Sequence, residues 1–123
     1  MKTILFVDDH EVLARLSCEI LEMQGYRAVY AFNAYDALAK FEHSNFDMLI
    51  TDFRMEGMNG LELARFVRQR APGLPVIIVS GYPQEESDEV SAWMEKQNLF
   101  PALLDKIRLF LGETESEEAL RSA

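Results

Sequence analysis

The chain has 123 residues, the size of one ordinary domain, and 49% of them are hydrophobic, enough to bury a core. Its formal net charge of −9 at pH 7 argues against a domain that grips nucleic-acid phosphates or an anionic membrane surface. Cys18 is the single cysteine, so no disulfide can form within the chain, and no apolar run reaches the roughly 18 residues of a membrane span. We therefore expect a cytoplasmic protein in which Cys18 is an ordinary core thiol.

The first half of the chain alternates between strand and helix patterns. Thr3–Val7 is a short, continuous apolar segment, typical of a strand that is covered on both faces. A helix pattern follows, and Gly25 fits the position just after its end. Arg27–Ala31 is the second predicted strand, and Asn33 is the predicted N-cap of the second helix. The apolar residues at helical spacing in the first helix are Val12, Leu13, Leu16, Ile20 and Leu21.

The second half of the chain repeats this alternation. Asp47–Thr51 is a predicted strand that runs into Asp52, and a helix pattern follows it. Leu74–Val79 is the most apolar segment and ends at Ser80, while Ala92–Glu95 is a candidate fifth strand. An amphipathic helix then follows, with apolar residues at Phe100, Leu103, Leu104, Ile107, Phe110 and Leu111.

Strands that alternate with helices through short connections predict an α/β fold, a parallel sheet with helices on both faces. Residues 1–112 form the predicted domain. The remaining residues, 113–123, are acidic and poor in large apolar side chains, so we expect a frayed or disordered tail.

Polar side chains gather where the predicted strands end. Asp8 and Asp9 follow the first strand, Asp52 the third, Ser80 the fourth, and Lys96 follows the fifth candidate. Ligands of open parallel sheets bind at the carboxyl ends of the strands. Three carboxylates at one such edge would repel each other unless a cation were present, and Mg²⁺ prefers oxygen ligands. The pattern favours a site for a metal ion and a phosphoryl group.

Each of these residues also has an ordinary interpretation. Asp9 could cap a helix that begins at His10, since aspartate is a preferred N-cap residue. Ser80 could be a turn residue beside Gly81, and Lys96 could be a solvated surface lysine. The residues alone leave both interpretations open at roughly even odds.

Three segments, ILFVDDHEVL, DMLITDFRMEGMNGLEL and VIIVSGY, resemble the receiver domain of bacterial two-component response regulators. The similarity extends over the chain up to about Gly112. It implies a flavodoxin-like, doubly wound sheet of five parallel strands in the order 2-1-3-4-5. It also implies a role in phosphorelay signalling, in which the domain catalyses only its own phosphoryl transfer and dephosphorylation.

The resemblance assigns roles to the residues at the strand ends. Asp52 matches the aspartate that accepts a phosphoryl group from a histidine kinase, and Ser80 matches the hydroxyl that binds the phosphoryl oxygens. Asp9 and Asp52 match direct ligands of Mg²⁺, Asp8 matches a residue that acts largely through water, and Arg54 contributes its backbone carbonyl.

The sequence departs from the family after the fourth strand. The usual Lys-Pro pair is missing, and the best match for its lysine is Lys96, followed by Gln97; Lys106 lies inside the last helix pattern and fits poorly. A cis bond before a residue other than proline costs about 2.5–4 kcal/mol, so we expect a trans Lys96–Gln97 bond. Trp93 stands at the position of the family's switch aromatic, although a buried core indole is an equal alternative, and Tyr82 is a second candidate aromatic.

The connector between the fourth and fifth strands is short and acidic. The segment GYPQEESDEVS contains Val90 as its single aliphatic residue and has no apolar stripe that a full helix could bury. We therefore predict that the fourth helix of the family is short or absent here.

Three classes of function compete. The first is a phosphoacceptor switch that uses Mg²⁺, is phosphorylated by a sensor histidine kinase or phosphotransfer protein and signals to an unknown downstream protein, without binding nucleic acid or membrane. The second is a degenerate receiver that binds proteins independently of phosphorylation. The third, an enzyme, is disfavoured because the chain lacks both the Asp-x-Asp motif of haloacid-dehalogenase-type phosphatases and the phosphate loop of flavodoxins. The chain is either a stand-alone receiver or a piece of a longer protein.

Overall fold

The computed structural model describes residues 1–81, 90–97 and 99–112 of the chain. These residues form one sheet of five parallel strands and four helices. In chain order the elements are β1 (Thr3–Val7), α1 (Glu11–Met23), β2 (Arg27–Ala31), α2 (Ala34–His43), β3 (Met48–Asp52), α3 (Gly60–Arg70), β4 (Val76–Ser80), β5 (Ala92–Glu95) and α4 (Ala102–Leu111).

The strand order is β2-β1-β3-β4-β5, which confirms the predicted topology. Opposite Val7 in β1 lies Thr51 in β3, so Asp8 and Asp52 follow at neighbouring positions. In turn, Asp52 pairs with Val79 of β4. The register therefore brings the polar ends of these strands to one edge of the sheet.

A hydrophobic cluster lies on each face of the sheet, because successive residues of a strand point to opposite sides. Leu5 and Leu49 face α2 and α3, whereas Ile4 and Ile50 face α1 and α4. This arrangement explains why the strands are continuously apolar rather than alternating.

Helix α1 packs against the sheet through a face that includes only one of the large apolar residues named from its sequence pattern, Leu21, among the described residues. Its buried face consists of Ala14, Ser17, Cys18 and Leu21. In contrast, Val12, Leu13 and Leu16 are 59%, 41% and 49% exposed. The helix therefore has two apolar faces, and helical spacing alone did not distinguish them.

The interpretation of Asp9 as a helix cap is wrong. Helix α1 begins at Glu11 and its N-cap is His10, whose Nδ1 accepts a hydrogen bond of 3.3 Å from the backbone N–H of Leu13. The side chain of Asp9 is thus not needed as the cap. The predicted cap of α2 is confirmed, since Asn33 Oδ1 accepts a 2.7 Å hydrogen bond from the Asp36 N–H.

Several predictions fall on residues that the structure does not describe. The shortened fourth helix would lie largely in 82–89, which also contains Tyr82, and the acidic tail is 113–123. Within the described ranges, none of the helices has the length and apolar character needed to cross a membrane.

Candidate functional site

Three carboxylates meet at the carboxyl edge of the sheet. Asp8 directly follows β1, Asp9 comes next, and Asp52 is the last residue of β3. One carboxylate oxygen from each lies within 4.8 Å of the others. Only Asp9 is exposed, since Asp8 and Asp52 retain 5% and 7% of their accessible surface. The site thus combines two buried negative charges with one that reaches solvent.

Lys96 supplies the positive charge at this site. Its Nζ donates a 2.9 Å hydrogen bond to Asp52 Oδ2 and lies 3.6 Å from Asp8 Oδ2. The Lys96 backbone N–H also donates to the Ser80 carbonyl at 2.9 Å, which ties the end of β5 to the end of β4. The competing candidate, Lys106, is exposed on α4. The structure therefore brings Lys96 into the acidic cluster.

The lysine reaches the site without the family's Lys-Pro pair. The Lys96–Gln97 peptide bond is trans, as predicted. Within the described part of the chain, the single cis peptide bond is Phe100–Pro101. Direct contact between Lys96 and Asp52 shows that this local difference does not keep the ammonium away.

The environment of Asp52 disfavours the charged form of its carboxyl group relative to the neutral form. Burial raises its pKa above the ordinary value of 3.8, the hydrogen bond from Lys96 lowers it in part, and the nearby charge of Asp8 raises it further. Burial alone would lower the pKa of the Lys96 ammonium, but the hydrogen bond to Asp52 and the charge of Asp8 outweigh burial and raise it. One lysine therefore does not fully compensate the buried negative charge.

A hard divalent cation fits this set of donors. The three neighbouring carboxylates offer the oxygen ligands that Mg²⁺ prefers, and the exposed Asp9 leaves room for water in its coordination shell. The raised pKa of Asp52 is the independent sign that further positive charge would stabilise the site. Asp8, Asp9 and Asp52 are thus the described side chains that could hold such an ion.

The segment between β3 and α3 is held tightly beside Asp52. The Phe53 N–H donates to the Val79 carbonyl at 2.8 Å, and the Gly60 N–H donates to the Phe53 carbonyl at 2.8 Å. A Cβ atom at residue 60 would overlap the Asp52 carbonyl oxygen, so only glycine fits there. Arg54 is exposed within this segment.

Ser80 and Trp93 lie on the β4 and β5 side of the site. Ser80 is 4% exposed at the end of β4. Half-buried Trp93 has its ring centroid 5.6 Å from that of Phe53, the residue after Asp52. The indole Nε1 is buried and has no hydrogen-bond partner within the described residues. Trp93 is therefore both a packing residue and a neighbour of the acidic site.

An apolar surface beside the site was not predicted. Leu13, Leu16 and Ile20 of α1, together with Leu99 and Phe100, line a cleft of about 290 Å³ that Asp52 and Lys96 also border. The sequence contains one sign of this surface: α1 has more large aliphatic residues than a single buried face requires.

Known proteins share the fold and up to about a third of the aligned residues. The model of the response regulator receiver domain matches residues 4–98. The response regulator TrrA of Thermotoga maritima, in complex with Mg²⁺-BeF, is 31% identical, with a TM-score of 0.84 over 90% of this chain and all of that one. TrrA in complex with the histidine kinase ThkA is 33% identical, with a TM-score of 0.81 over 90% of this chain and 99% of TrrA.

A longer relative matches almost the whole chain. The autoinducer 1 sensor kinase/phosphatase LuxN of Vibrio campbellii is 29% identical over 122 residues, which are 98% of this chain and 14% of LuxN. The chain thus spans about one seventh of the length of this relative.

The fold and the comparisons define a signalling domain of two-component systems rather than a metabolic enzyme. The chain belongs to the family of response regulator receiver domains.

Proposed function

We propose that this chain is a phosphoacceptor switch, in which Asp52 receives a phosphoryl group from the phosphohistidine of a kinase or phosphotransfer protein. The observation that carries this proposal is the contact between Lys96 and Asp52 within a cluster of three carboxylates. A nucleophilic carboxylate, a cation beside it and a place for a metal ion are the parts that phosphoryl transfer to aspartate requires.

In the proposed reaction, a carboxylate oxygen of Asp52 attacks the phosphorus of phosphohistidine. The P–N bond breaks as the new P–O bond forms, and the bonding electron pair stays with the imidazole nitrogen. The Lys96 ammonium offsets negative charge on the transferring group. Asp9, Asp52 and the Arg54 carbonyl would hold Mg²⁺, with Asp8 acting largely through water, and the bound ion would offset further negative charge on the phosphoryl group.

In this proposal, Ser80 and Trp93 change position when Asp52 is phosphorylated. Ser80 binds a phosphoryl oxygen through its hydroxyl, and Trp93 changes its packing when Ser80 moves. Support for the second role comes from the contact of Trp93 with Phe53 and from its buried indole N–H, which has no acceptor in the described part of the chain and gains from any rearrangement that provides one. Such a local change can bias a two-state element that a downstream protein recognises.

The apolar side of α1 supports a protein as phosphodonor. Leu13 and Leu16 are partly exposed and line the cleft that Asp52 borders, and Val12, one residue before Leu13, is exposed as well. An exposed apolar patch next to a reactive group is typical of a contact with another protein. We therefore infer that a histidine kinase or phosphotransfer protein delivers the phosphoryl group, as the complex of TrrA with ThkA suggests for that relative.

The test is phosphorylation by acetyl phosphate with MgCl₂, followed by intact mass spectrometry. Wild type should gain the mass of one phosphoryl group, and Asp52→Asn should gain none. Asp105→Asn is the matched control, because Asp105 is 79% exposed on α4 and should leave phosphorylation unchanged. Absence of phosphorylation in wild type would instead favour the protein-binding module.

A further inference from the structure

Thr51 is a buried polar residue with no role in the switch described above. It is fully buried in β3, between Val7 of β1 and Ile78 of β4, and shares the face of the sheet that carries Leu49 and is covered by α2 and α3. A hydroxyl in such surroundings is costly unless it is hydrogen-bonded. Its partners therefore indicate what the residue does.

The Thr51 hydroxyl bonds to the segment that leaves β3. Its Oγ1 donates to the Asp52 carbonyl oxygen at 3.0 Å and lies 4.0 Å from the Met55 sulfur, a weaker acceptor. A hydroxyl has one proton, so the shorter contact to the carbonyl is the principal hydrogen bond.

The same carbonyl group is confined from a second direction. Gly60 approaches it so closely that a Cβ atom there would overlap the oxygen. The N–H of this same peptide group, that of Phe53, donates to the Val79 carbonyl at 2.8 Å. The next peptide group is held in turn, because its Phe53 carbonyl accepts a 2.8 Å hydrogen bond from the Gly60 N–H. The peptide group between Asp52 and Phe53 is thus held by Thr51, by β4 and by the start of α3.

We propose that Thr51 is a positioning residue for the phosphoacceptor, an inference that rests on the proposed function. Rotation of the peptide group after Asp52 would swing the Asp52 side chain about its Cα atom. The carboxylate would then lose its alignment with Lys96, whose Nζ lies 2.9 Å from Oδ2, and with the carboxylates of Asp8 and Asp9. The Thr51 hydroxyl opposes this rotation at the carbonyl end of the peptide group, and the hydrogen bond from Phe53 to Val79 opposes it at the N–H end.

Substitution of Thr51 by valine removes the hydroxyl while keeping the shape of the side chain. We expect Thr51→Val to slow phosphorylation by acetyl phosphate with MgCl₂ about two- to tenfold, the effect of one hydrogen bond. Thr51→Ser, which keeps the hydroxyl, should phosphorylate within about twofold of wild type. Thr3→Val, at the opposite end of the sheet, is the matched control and should phosphorylate at the wild-type rate.

Rates are compared at a temperature where circular dichroism shows every variant to be folded. A lower melting temperature with an unchanged rate for Thr51→Val would indicate packing alone and overturn the inference. If Thr51→Val does not fold, Thr51→Ala and Thr51→Ser form a second pair that differ by the hydroxyl. A slower alanine variant supports positioning, and equal rates overturn it.

A failure of the proposed function is recognised separately. Wild type would then gain no phosphoryl mass, whereas failure of the present inference leaves wild type active and Thr51→Val equally fast. Calorimetric titration with MgCl₂ provides a readout independent of phosphorylation. Weaker binding by Thr51→Val than by wild type supports the positioning of the Asp52 carboxylate, and equal binding contradicts it.

Discussion

The ammonium nitrogen of Lys96 lies 2.9 Å from Oδ2 of Asp52, although the two residues are 44 positions apart in the sequence. The contact is made from the end of β5 to the end of β3, across the intervening strand β4. It places the main positive charge of the site directly on the proposed nucleophile.

Loss of the Lys96 charge should slow phosphorylation. We expect Lys96→Met to lower the rate with acetyl phosphate and MgCl₂ on the order of 100-fold, as for removal of other groups that stabilise charge in a transition state. Lys106→Met is the control, because Lys106 is exposed on α4 and should leave the rate unchanged. A Lys96→Met rate within twofold of wild type would contradict the assignment of this lysine.

Neutralisation of Asp52 should stabilise the metal-free protein at neutral pH. The pKa of Asp52 is higher in the folded state than its ordinary value of 3.8, chiefly because of burial, so the folded protein binds this proton more tightly than the unfolded chain. Its contribution therefore favours folding at low pH and turns against folding as the pH rises through the folded-state pKa.

We accordingly expect Asp52→Asn to have the larger free energy of unfolding at pH 7 in the presence of EDTA. The advantage should shrink as the pH falls below the folded-state pKa of Asp52, because wild type then also loses the charge at this position. Urea denaturation at several pH values measures both effects. A less stable Asp52→Asn protein at pH 7 would show that the hydrogen bond from Lys96 outweighs the burial of the charge.

Magnesium should raise the melting temperature of the wild type, because an ion that binds the folded state stabilises it. At a concentration ten times the dissociation constant the gain is about 1.4 kcal/mol. Asp9→Asn should lose most of this gain, since Asp9 contributes one of the three clustered carboxylates. Asp36→Asn, on α2, is the control and should respond to MgCl₂ as wild type does.

Trp93 should report phosphorylation by its fluorescence. It is the single tryptophan, and its ring packs against Phe53 beside Asp52. Addition of acetyl phosphate and MgCl₂ should change its emission intensity or wavelength in wild type and leave Asp52→Asn with the response to MgCl₂ alone. Identical responses of the two proteins would argue that Trp93 is only a core indole.

Cys18 should be unreactive in the folded protein. Burial, aided by the charge of Glu22, raises the pKa of its thiol to about 12, and the side chain lies on the buried face of α1. At pH 8 the thiolate fraction then falls roughly 1000-fold below that of a free cysteine. Titration with a chromogenic disulfide should label Cys18 rapidly in denaturant and very slowly in buffer, and fast labelling in buffer would contradict the burial.

Much of the fold could be predicted from the sequence because parallel strands covered on both faces appear as short, continuous apolar segments. Each predicted strand lies within two residues of an observed one; β4, for example, begins at Val76 rather than Leu74. The N-cap Asn33 could likewise be predicted from the sequence, because its side chain accepts a hydrogen bond from a backbone N–H only three residues away. Local interactions of this kind depend on nearby residues alone.

The hydrophobic pattern of α1 did not predict which of its faces packs against the sheet. Large apolar residues at helical spacing predicted the helix, but the sheet packs on the smaller Ala14 and Cys18 and leaves Leu16 half exposed. Two apolar faces on one helix give the same periodicity, and the choice between them depends on how closely α1 approaches the sheet.

The acidic residues at the strand ends could be identified from the sequence, because a carboxylate after an apolar strand pattern is visible in the linear order of residues. The contact of Lys96 with Asp52 and the hydrogen bond from the Thr51 hydroxyl to the Asp52 carbonyl became known from the fold. The first contact depends on the register of β4 and β5, and the second on the direction of one peptide group beside Gly60. The first joins residues 44 positions apart, and the second, although local in sequence, depends on how the chain packs where β3 leads into α3, so neither can be derived from a linear pattern.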